Sequence, residues 1–329
     1  MKAADRTFTA KPAVRGRTPL LLACTGSSGS GKTFSALRLA TGMQRVLGGK
    51  IVGIDTEHRR MLHYADRFKF DHIDFEPPFG PLDYLAAIEQ AVAQGGTVLV
   101  IDSMTHEHNG PGGVMDRVDE YTERKAREKG EEVSENFRQR YFFLAQKEPK
   151  LERKRLNAAL QHMGINAILC YRAADKIKPV TGKEPLKLGW QPDTTSPLVW
   201  DMAARFLLPP CSDGFPDLRP QHEAEKLTVK LPEQFREIIK PGVQLTEDLG
   251  EKLARWAAGD VAKPPASAAG ARVDLAASLA LCTDVDAWMR DNAADIERLA
   301  KGARKSADAA IAKRREELKA SDAEGYVPT

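Results

Sequence analysis

The sequence predicts an α/β domain in which a mainly parallel sheet is flanked by helices. Three observations predict this fold. Short apolar segments alternate with longer amphipathic segments over much of the chain, as expected when a helix follows each strand. The segment Thr97–Ile101 is an uninterrupted apolar run, which is typical of a parallel strand covered on both faces. A turn rich in Gly and Ser joins the first predicted strand to the first predicted helix.

The part of the chain before this apolar run contains two more strands and three helical segments. Pro19–Thr25 is an apolar strand, and Lys32–Leu47 is an amphipathic helix that a pair of glycines ends. Lys50–Asp55 is predicted to be the second strand, and the helical stretch Met61–Phe68 follows it. Leu82–Gln94 places its apolar residues at helical spacing and therefore predicts a helix.

The part of the chain after the third strand begins with a long charged segment, Val118–Met163, whose pattern is helical. Ile165–Tyr171 is predicted to be the fourth strand. Ala173–Pro197 carries Lys, Gly and Pro and is predicted to be a loop. Val199–Ala204 then predicts a short helix and Arg205–Leu208 a further strand.

The fold prediction implies one large domain followed by a small C-terminal region. A short helix with Thr246 as its N-cap should end the large domain, and Glu225–Lys230 is a candidate edge strand. The segment after this helix is rich in Ala, Pro and Gly, as in linkers. The predicted divisions are a flexible arm at 1–18, the main domain at 19–258 with a charged helical insert at 117–163, a linker at 259–272, a helical module at 273–320 and a disordered tail at 321–329.

Composition excludes several classes of protein. The 329 residues are 42% hydrophobic and 29% charged with a net charge of +3, so overall charge argues neither for nor against nucleic acid. No apolar run approaches the ~20 residues that cross a bilayer. The four cysteines lack the spacing of a disulfide framework or a zinc site. We therefore expect a cytoplasmic protein without membrane contact.

The strongest motif is Gly26–Thr33, which fits the phosphate-binding pattern G-x-x-x-x-G-K-[ST] between an apolar strand and a helix. Glycines let the backbone wrap round phosphate oxygens, and the N–H groups and the helix N-terminus face the anion. Lys32 is expected to bind the β- and γ-phosphates, and Thr33 to bind Mg²⁺. The predicted ATP-binding residues are Gly26, Ser27, Ser28, Gly29, Ser30, Gly31, Lys32, Thr33 and Phe34.

Acidic residues at two strand ends complete the predicted site. Asp102 follows the apolar third strand, at a tip where an acidic group can lie beside Mg²⁺. Asp55 and Glu57 follow the second strand, and a carboxylate at this edge can polarise the attacking water as a general base. The alternative for each is an acid that caps a turn or faces solvent.

These pieces together resemble the RecA-like ATPases. In that family a phosphate-binding loop is followed by a strand ending in Asp-Ala-Glu or similar, and a later strand ends in Asp-Ser. Ile54–His58 and Ile101–Ser103 fit both features in the same order. The resemblance covers Pro19–Leu208 and implies that Lys32, Glu57 and Asp102 are catalytic, with Glu57 as the base and Asp102 beside the metal.

The whole chain is similar to a narrower group, the RecA-like, AAA-type nucleotide-binding proteins of phages and prophages. The segments that carry this resemblance are Asp102–Gly113 and Leu231–Trp256. It implies a role in recombination or single-strand annealing on DNA, and therefore a bacterial host cell. The charged segment Val118–Met163 and the C-terminal helices have no obvious counterpart in bacterial RecA, so the resemblance does not imply full strand exchange.

The resemblance also implies weaker assignments around the fourth strand. Arg172 follows that strand, where RecA-like folds place a residue that senses the γ-phosphate. Lys176 or Lys178 could complete the site of a neighbouring subunit in a ring or filament of identical chains. The loop Lys176–Gln191 combines lysines with an aromatic residue and suits single-stranded DNA, or else is a solvated surface loop. The basic segment Lys147–Arg155 is open to the same two interpretations.

Other functions stay open from the sequence. The phosphate-binding loop also resembles that of small-molecule kinases, although the chain has no compact Arg-rich lid. A nucleotide-gated scaffold with little turnover is the second alternative, and the C-terminal helices could bind a protein partner. His106–His108 resembles a metal motif, but residues two apart on a helix do not share a face, so we expect a loop near the nucleotide.

Overall fold

The computed structural model describes residues 9–10, 12–13, 16–182, 184–222, 225–226, 228–259, 279, 285–286, 289, 296, 304 and 307–316. The chain divides into two compact units, Met1–Asp260 and Val261–Thr329. Most of the predicted arm and linker, all of the predicted tail, and Lys183 lie outside the described residues and stay predictions. None of the helices in the described part of the chain combines the length and apolar character that a membrane crossing requires.

A seven-stranded sheet forms the centre of the first unit and confirms the predicted fold class. Six strands lie in the order β3-β2-β4-β5-β1-β7, all parallel to their neighbours, and β6 pairs antiparallel with the outer part of β5. The strands are β1 Leu21–Gly26, β2 Lys50–Asp55, β3 Asp71–Asp74, β4 Gly96–Asp102, β5 Asn166–Lys178, β6 Leu186–Pro192 and β7 Ala204–Leu208.

Helices cover both faces of this sheet because successive residues of the buried strands point to opposite sides. Leu22 and Cys24 face the core beneath α1 and α8, whereas Leu21 and Ala23 face the core beneath α2 and α6. The helices are α1 Lys32–Leu47, α2 Pro81–Ala93, α3 His106–Asn109, α4 Val114–Lys129, α5 Glu135–Ala145, α6 Lys147–His162, α7 Leu198–Asp201 and α8 Glu247–Ala257.

The predicted loop Ala173–Pro197 is wrong over most of its length. Strand β5 continues to Lys178, and β6 returns beside it, so the segment is a β-hairpin that projects beyond the sheet. Side chains near its tip, such as Ile177 and Leu186, are exposed. Beyond its buried base, the hairpin has no buried residue among the described positions of 174–188, so it shows no alternation of apolar and polar residues that would indicate a strand.

Smaller corrections concern elements with weak patterns. The predicted helix Met61–Phe68 is only a 3₁₀ turn at Arg60–Tyr64, and the short edge strand β3 has a single apolar residue and was not predicted. The charged segment expected to start at Val118 is three helices, α4 to α6, beginning at Val114 and broken at Gly130, whose φ is 63°. The candidate edge strand near Lys230 is one isolated bridge to Arg205.

The second unit has a small apolar cluster among its described residues. Leu279, Val285, Ile296 and Ile311 are buried together, as expected for Leu279 and Ile296. Trp288 and Leu299, which were expected in the same core, lie outside the described residues. A helical segment at 307–316 supports the predicted helical character of this region.

Helices α1 and α8 pack with their backbones in close contact. A Cβ atom added to Gly42 of α1 would overlap the carbonyl oxygen of Glu247, and one added to Gly250 of α8 would overlap that of Leu39. Thr246 caps α8 as predicted, since its hydroxyl accepts a hydrogen bond from the N–H of Leu249 at 3.3 Å. Two glycines therefore fix how closely α8 holds the helix that follows the phosphate-binding loop.

The substitution Gly42→Ala should destabilise the protein. At an exposed helix position alanine is more stabilising than glycine by about 1 kcal/mol. Here, however, the added methyl group would overlap backbone atoms that cannot move aside. We expect the free energy of unfolding in urea to fall by about 1–3 kcal/mol. The control Gln90→Ala, on the exposed face of α2, should change it by less than about 0.5 kcal/mol. A Gly42→Ala protein as stable as the wild type would contradict the close packing.

Candidate functional site

The phosphate-binding loop lies between β1 and the N-terminus of α1, as its motif requires. Gly29 and Gly31 have φ values of 77° and 84°, which residues with a side chain rarely adopt. Gly26 packs so closely on β7 that a Cβ atom there would overlap the carbonyl oxygen of Leu208. The loop therefore needs glycine at these three positions to turn its N–H groups toward an anion.

The polar side chains of the loop fit an anionic ligand. Lys32 is buried, and its Nζ donates a hydrogen bond to the carbonyl oxygen of Ser27 at 2.7 Å. The hydroxyl of Ser30 is buried without a hydrogen-bond partner among the described residues. Such an unpaired group is costly unless a ligand or water satisfies it. Phosphate oxygens would satisfy the hydroxyl and give the lysine a stronger, charged partner.

Phe34 points away from the loop. Its ring packs against Tyr64 and Phe68 at centroid distances of 5.7 and 5.4 Å, and the guanidinium of Arg67 lies 4.8 Å from the ring centre. The part of Phe34 that can face a phosphate is therefore its backbone N–H in the first turn of α1. Its side chain instead anchors that turn to the 3₁₀ segment.

Thr33 and Asp102 lie together at the expected metal position. The hydroxyl of Thr33 donates a hydrogen bond to Oδ2 of Asp102, which is buried at the end of β4. Burial raises the pKa of Asp102 to about 6, while the Thr33 hydrogen bond and the charge of Lys32 act in the opposite direction. A hydroxyl beside a carboxylate is a suitable pair of oxygen ligands for Mg²⁺.

Asp55 shapes the turn that carries Glu57. One carboxylate oxygen of Asp55 accepts a hydrogen bond from the N–H of Glu57 at 2.7 Å. The other accepts from the N–H of Met61 at 2.9 Å and lies 3.1 Å from Nε2 of His72. With its side chain fully buried and both oxygens engaged, Asp55 positions the turn. Glu57 is thus the better placed of the two carboxylates to act on a substrate.

Glu57 is held by Arg172, although the two residues are far apart in the sequence. Nε of Arg172 donates to Oε1 of Glu57 at 2.9 Å, and Nη2 donates to Oε2, so the pair is bidentate. Nη1 of Arg60 lies 3.6 Å from Oε2, and Nε2 of His106 lies 3.9 Å from Oε1. Burial alone would raise the pKa of Glu57, but Arg172, with smaller effects from His106 and Arg60, holds it below the usual value.

His106, which the sequence placed near the nucleotide, contacts Glu57 and Thr56, and the sequence did not predict these contacts. Residues 106–109 form the short helix α3 rather than a loop, which corrects the expectation for this segment. Nδ1 of His106 lies 2.8 Å from the hydroxyl of Thr56, and its ring stacks on Phe79. Burial and the charge of Arg172 lower the pKa of His106, against the opposing effect of Glu57. Within the described ranges, no group of three His, Cys, Asp or Glu side chains could hold a metal ion.

The lysines proposed to act on a neighbouring subunit lie on the hairpin. Nζ of Lys176 is 3.8 Å from Oδ1 of Asp193, and Lys178 ends β5 with an exposed side chain. The backbone of β5 links these lysines directly to Arg172, whose N–H donates to the hydroxyl of Thr105 at 2.8 Å. The structure therefore brings Lys32, Thr33, Asp102, Glu57 and Arg172 to one sheet edge and leaves Lys176 and Lys178 on the projection.

A buried ion pair ties the insert to this edge. Arg153 of α6 donates through Nε and Nη2 to the two carboxylate oxygens of Glu107, both at 2.7 Å. Nη1 of Arg153 also donates to the hydroxyl of Thr195 at 3.1 Å. Burial raises the pKa of Glu107 despite this partner, so the cost of desolvation is only partly offset. Nothing in the sequence spacing of Glu107 and Arg153 indicated this contact.

Removing one partner of that pair should be costly. Arg153→Ala leaves the buried carboxylate of Glu107 without its charged partner, and we expect the free energy of unfolding to fall by about 3–5 kcal/mol. Arg155→Ala, two residues away on the exposed side of α6, should change it by less than about 0.5 kcal/mol. Urea unfolding followed by circular dichroism measures both. Equal losses in the two variants would show that the pair does not anchor the helix.

The chain has a distant counterpart among solved structures but matches no family model and no curated protein. The KaiC-like protein PH0186 of the hyperthermophilic archaeon Pyrococcus horikoshii OT3 shares 19% sequence identity with it. That match covers 58% of this chain and 71% of the other, with a TM-score of 0.30. So low a score carries no argument about activity, and the functional case depends on the residues of the site.

Proposed function

We propose that this protein is a RecA-like ATPase that binds and hydrolyses ATP with Mg²⁺ and acts on single-stranded DNA in phage-type recombination or annealing. The observation that carries the proposal is the contact between Thr33 and Asp102 directly beside the glycine-rich loop. A hydroxyl, a buried carboxylate, a lysine and a helix N-terminus at one strand edge suit a metal-bound triphosphate.

The residues of the loop account for binding. N–H groups of the loop and of the first turn of α1 would hold the phosphates, and Lys32 would exchange the carbonyl oxygen of Ser27 for phosphate oxygens. Thr33 and Asp102 would hold Mg²⁺, which neutralises negative charge on the β- and γ-phosphates. Thr33 would offer a lone pair of its hydroxyl oxygen to the metal and keep its proton, which it now donates to Asp102.

Hydrolysis requires a rearrangement at Glu57. A carboxylate held by both donors of Arg172 is a weak acceptor for the proton of an attacking water. We infer that Arg172 leaves Glu57 for the γ-phosphate when ATP binds. The move frees the base and places a positive charge where negative charge develops during transfer.

The hairpin supports the choice of DNA as substrate. Lys178 and Lys187 are exposed near its tip, beside the exposed apolar side chains of Ile177 and Leu186. Cations next to apolar side chains on a projecting element suit a flexible polyanion. Because β5 also carries Arg172, single-stranded DNA bound to the hairpin could influence the contact between Arg172 and Glu57. We further propose that identical chains assemble on the strand, so that Lys176 or Lys178 reaches a neighbouring site.

The Arg172–Glu57 pair also favours one alternative. If Arg172 stayed on Glu57 in the presence of ATP, the chain would bind nucleotide and scarcely hydrolyse it. Such a protein would be a nucleotide-gated scaffold. Turnover in the presence and absence of DNA separates the two functions.

The central experiment is ATP hydrolysis by the purified full chain with and without single-stranded DNA. We expect DNA to stimulate hydrolysis, and Glu57→Gln to keep nucleotide binding while losing about 10²–10⁴ in kcat, because the amide cannot accept the proton. Lys32→Ala should abolish nucleotide binding, measured with a fluorescent ATP analogue. Hydrolysis indifferent to DNA would leave an ATPase with another role, and full turnover by Glu57→Gln would remove Glu57 as the base.

The role of Arg172 has a kinetic and a pH signature. Arg172→Ala should lower kcat by about 10²-fold, the usual cost of one stabilising donor in the transition state. Arg172 also holds the pKa of Glu57 down in the free protein, so in its absence the pKa rises. The acid limb of the kcat/KM profile should therefore shift to higher pH, because the base becomes protonated sooner as pH falls.

Other charges near Glu57 provide the control for this shift. Arg60 and His106 also lower the pKa of Glu57, and Asp102 lies close enough for its charge to interact with that of Glu57. Nη1 of Arg60 lies 3.6 Å from Oε2 of Glu57, farther than Arg172, so Arg60→Ala should move the acid limb less than Arg172→Ala does. An unchanged acid limb or an increased kcat in Arg172→Ala would contradict the exchange.

A further inference from the structure

The insert presents an unusual concentration of exposed apolar side chains. Phe142, Phe143 and Leu144 lie in the last turn of α5, which ends at Ala145, and Leu151 lies one turn into α6. The side chain of Phe143 is 80% exposed, and its ring meets that of Phe142 edge-on at 5.6 Å. Large apolar residues grouped in this way on a surface usually mark a site of interaction. We call these four residues and the outer side of α6 the insert face.

Helix α6, which begins two residues after α5 ends, carries four exposed cations. Lys147, Lys150, Lys154 and Arg155 are exposed along the first two turns and more of α6. In the described part of the chain, none of them lies within ion-pair distance of a carboxylate. The acid among them, Glu148, has Nη2 of Arg117 at 4.0 Å. The insert face therefore carries uncompensated positive charge.

The inner side of the same helix is organised in the opposite way. Glu152 is bound by Arg117, and Arg153 is bound to Glu107, so the charged residues that face the protein are paired. Among the described residues, the cations on the outer side make no comparable contact. Their charges are therefore available to an anionic ligand.

We propose that the insert face binds single-stranded DNA, with Phe142 and Phe143 stacking on bases and the lysines of α6 pairing with phosphates. This inference depends on the DNA substrate of the proposed function and adds a second contact to that of the hairpin. Single strands are held by aromatic platforms beside cations, since every base has a π-face and every linkage a charge. The carboxylates of an acidic peptide would pair with the lysines, but an acidic peptide does not generally supply flat groups that stack on two adjacent exposed rings.

The insert face is also connected to the catalytic edge. Helix α6 carries both the outer lysines and Arg153, which holds Glu107 of α3. The neighbouring residue on α3 is His106, whose Nε2 lies 3.9 Å from Glu57. DNA bound to the insert face would therefore contact the same helix, α6, that holds Glu107 beside the catalytic edge.

Two oligonucleotides, one with bases and one without, distinguish base stacking from phosphate pairing. We would measure the binding of a fluorescent thymidine oligonucleotide, and of an abasic oligonucleotide of equal length, to the full chain by anisotropy. Phe142→Ala with Phe143→Ala should weaken binding of the thymidine oligonucleotide by about 30-fold or more, because each stacked base contributes about 1–3 kcal/mol and the variant removes two such contacts. The same variant should bind the abasic strand as the wild type does.

Charge removal should affect both strands. Lys150→Ala with Lys154→Ala should weaken binding of the thymidine and the abasic strand alike and reduce the slope of log K against log salt by about 1.4, or about 0.7 per cation. The matched control removes two exposed lysines elsewhere on the same unit, Lys69→Ala with Lys252→Ala, and should leave the slope and both affinities unchanged. All substituted side chains are exposed, so circular dichroism should confirm unchanged folding.

Three outcomes would overturn the inference. If the wild type binds the thymidine strand and the insert variants bind it equally well, the DNA contact lies elsewhere and the proposed function survives. If the wild type binds neither strand, the DNA substrate and this inference both fail. If the variants bind DNA normally but no longer bind an acidic peptide that contains phenylalanine and that the wild type binds, the insert face is a protein-docking surface.

Discussion

The site depends on the register of its parallel strands. Asp55 pairs with Asp102 across β2 and β4, Asp102 pairs with Cys170 of β5, and Cys170 pairs with Cys24 of β1. A hydrogen bond of 2.8 Å from the N–H of Thr56 to the carbonyl oxygen of Asp102 continues this alignment past the strand ends. A slip of one residue in β4 would turn the Asp102 carboxylate to the other face of the sheet. The ends of four strands thus bring together residues from distant parts of the sequence.

The sequence predicted the elements that have a buried face or a clear stop signal. The bounds Lys32–Leu47 and Lys50–Asp55 match the structure because an amphipathic helix, two glycines and an apolar strand follow in succession. It did not predict the contact between Glu57 and Arg172. Each side chain was a candidate, but their pairing depends on how far two strand ends stand apart. The hairpin was missed because solvent on its exposed faces removes the alternation that identifies a strand.

The two sides of α6 have different roles: paired charges on the inner side fix the position of the helix, and exposed cations on the outer side are available for recognition. Burying Arg153 with Glu107 costs desolvation that their attraction only partly returns, so the pair contributes more to fixing the orientation of α6 than to net stability. Orientation is what the outer side requires, since lysines and rings act together only when they face the same way. The sequence left Lys147–Arg155 open between a DNA contact and a solvated surface, and it did not distinguish the two sides of α6.

The close approach of α1 and α8 at Gly42 and Gly250 makes the two walls of the site mechanically unequal. Backbone against backbone leaves no flexible side chain to absorb a shift, so the wall that holds the phosphates is stiff. Arg172 belongs to the same backbone framework, since it pairs with Gly26 of β1, but its side chain holds Glu57 through a contact that can be exchanged. When the bound nucleotide changes, we therefore expect the side chain of Arg172 to move and the phosphate-binding loop to stay in place.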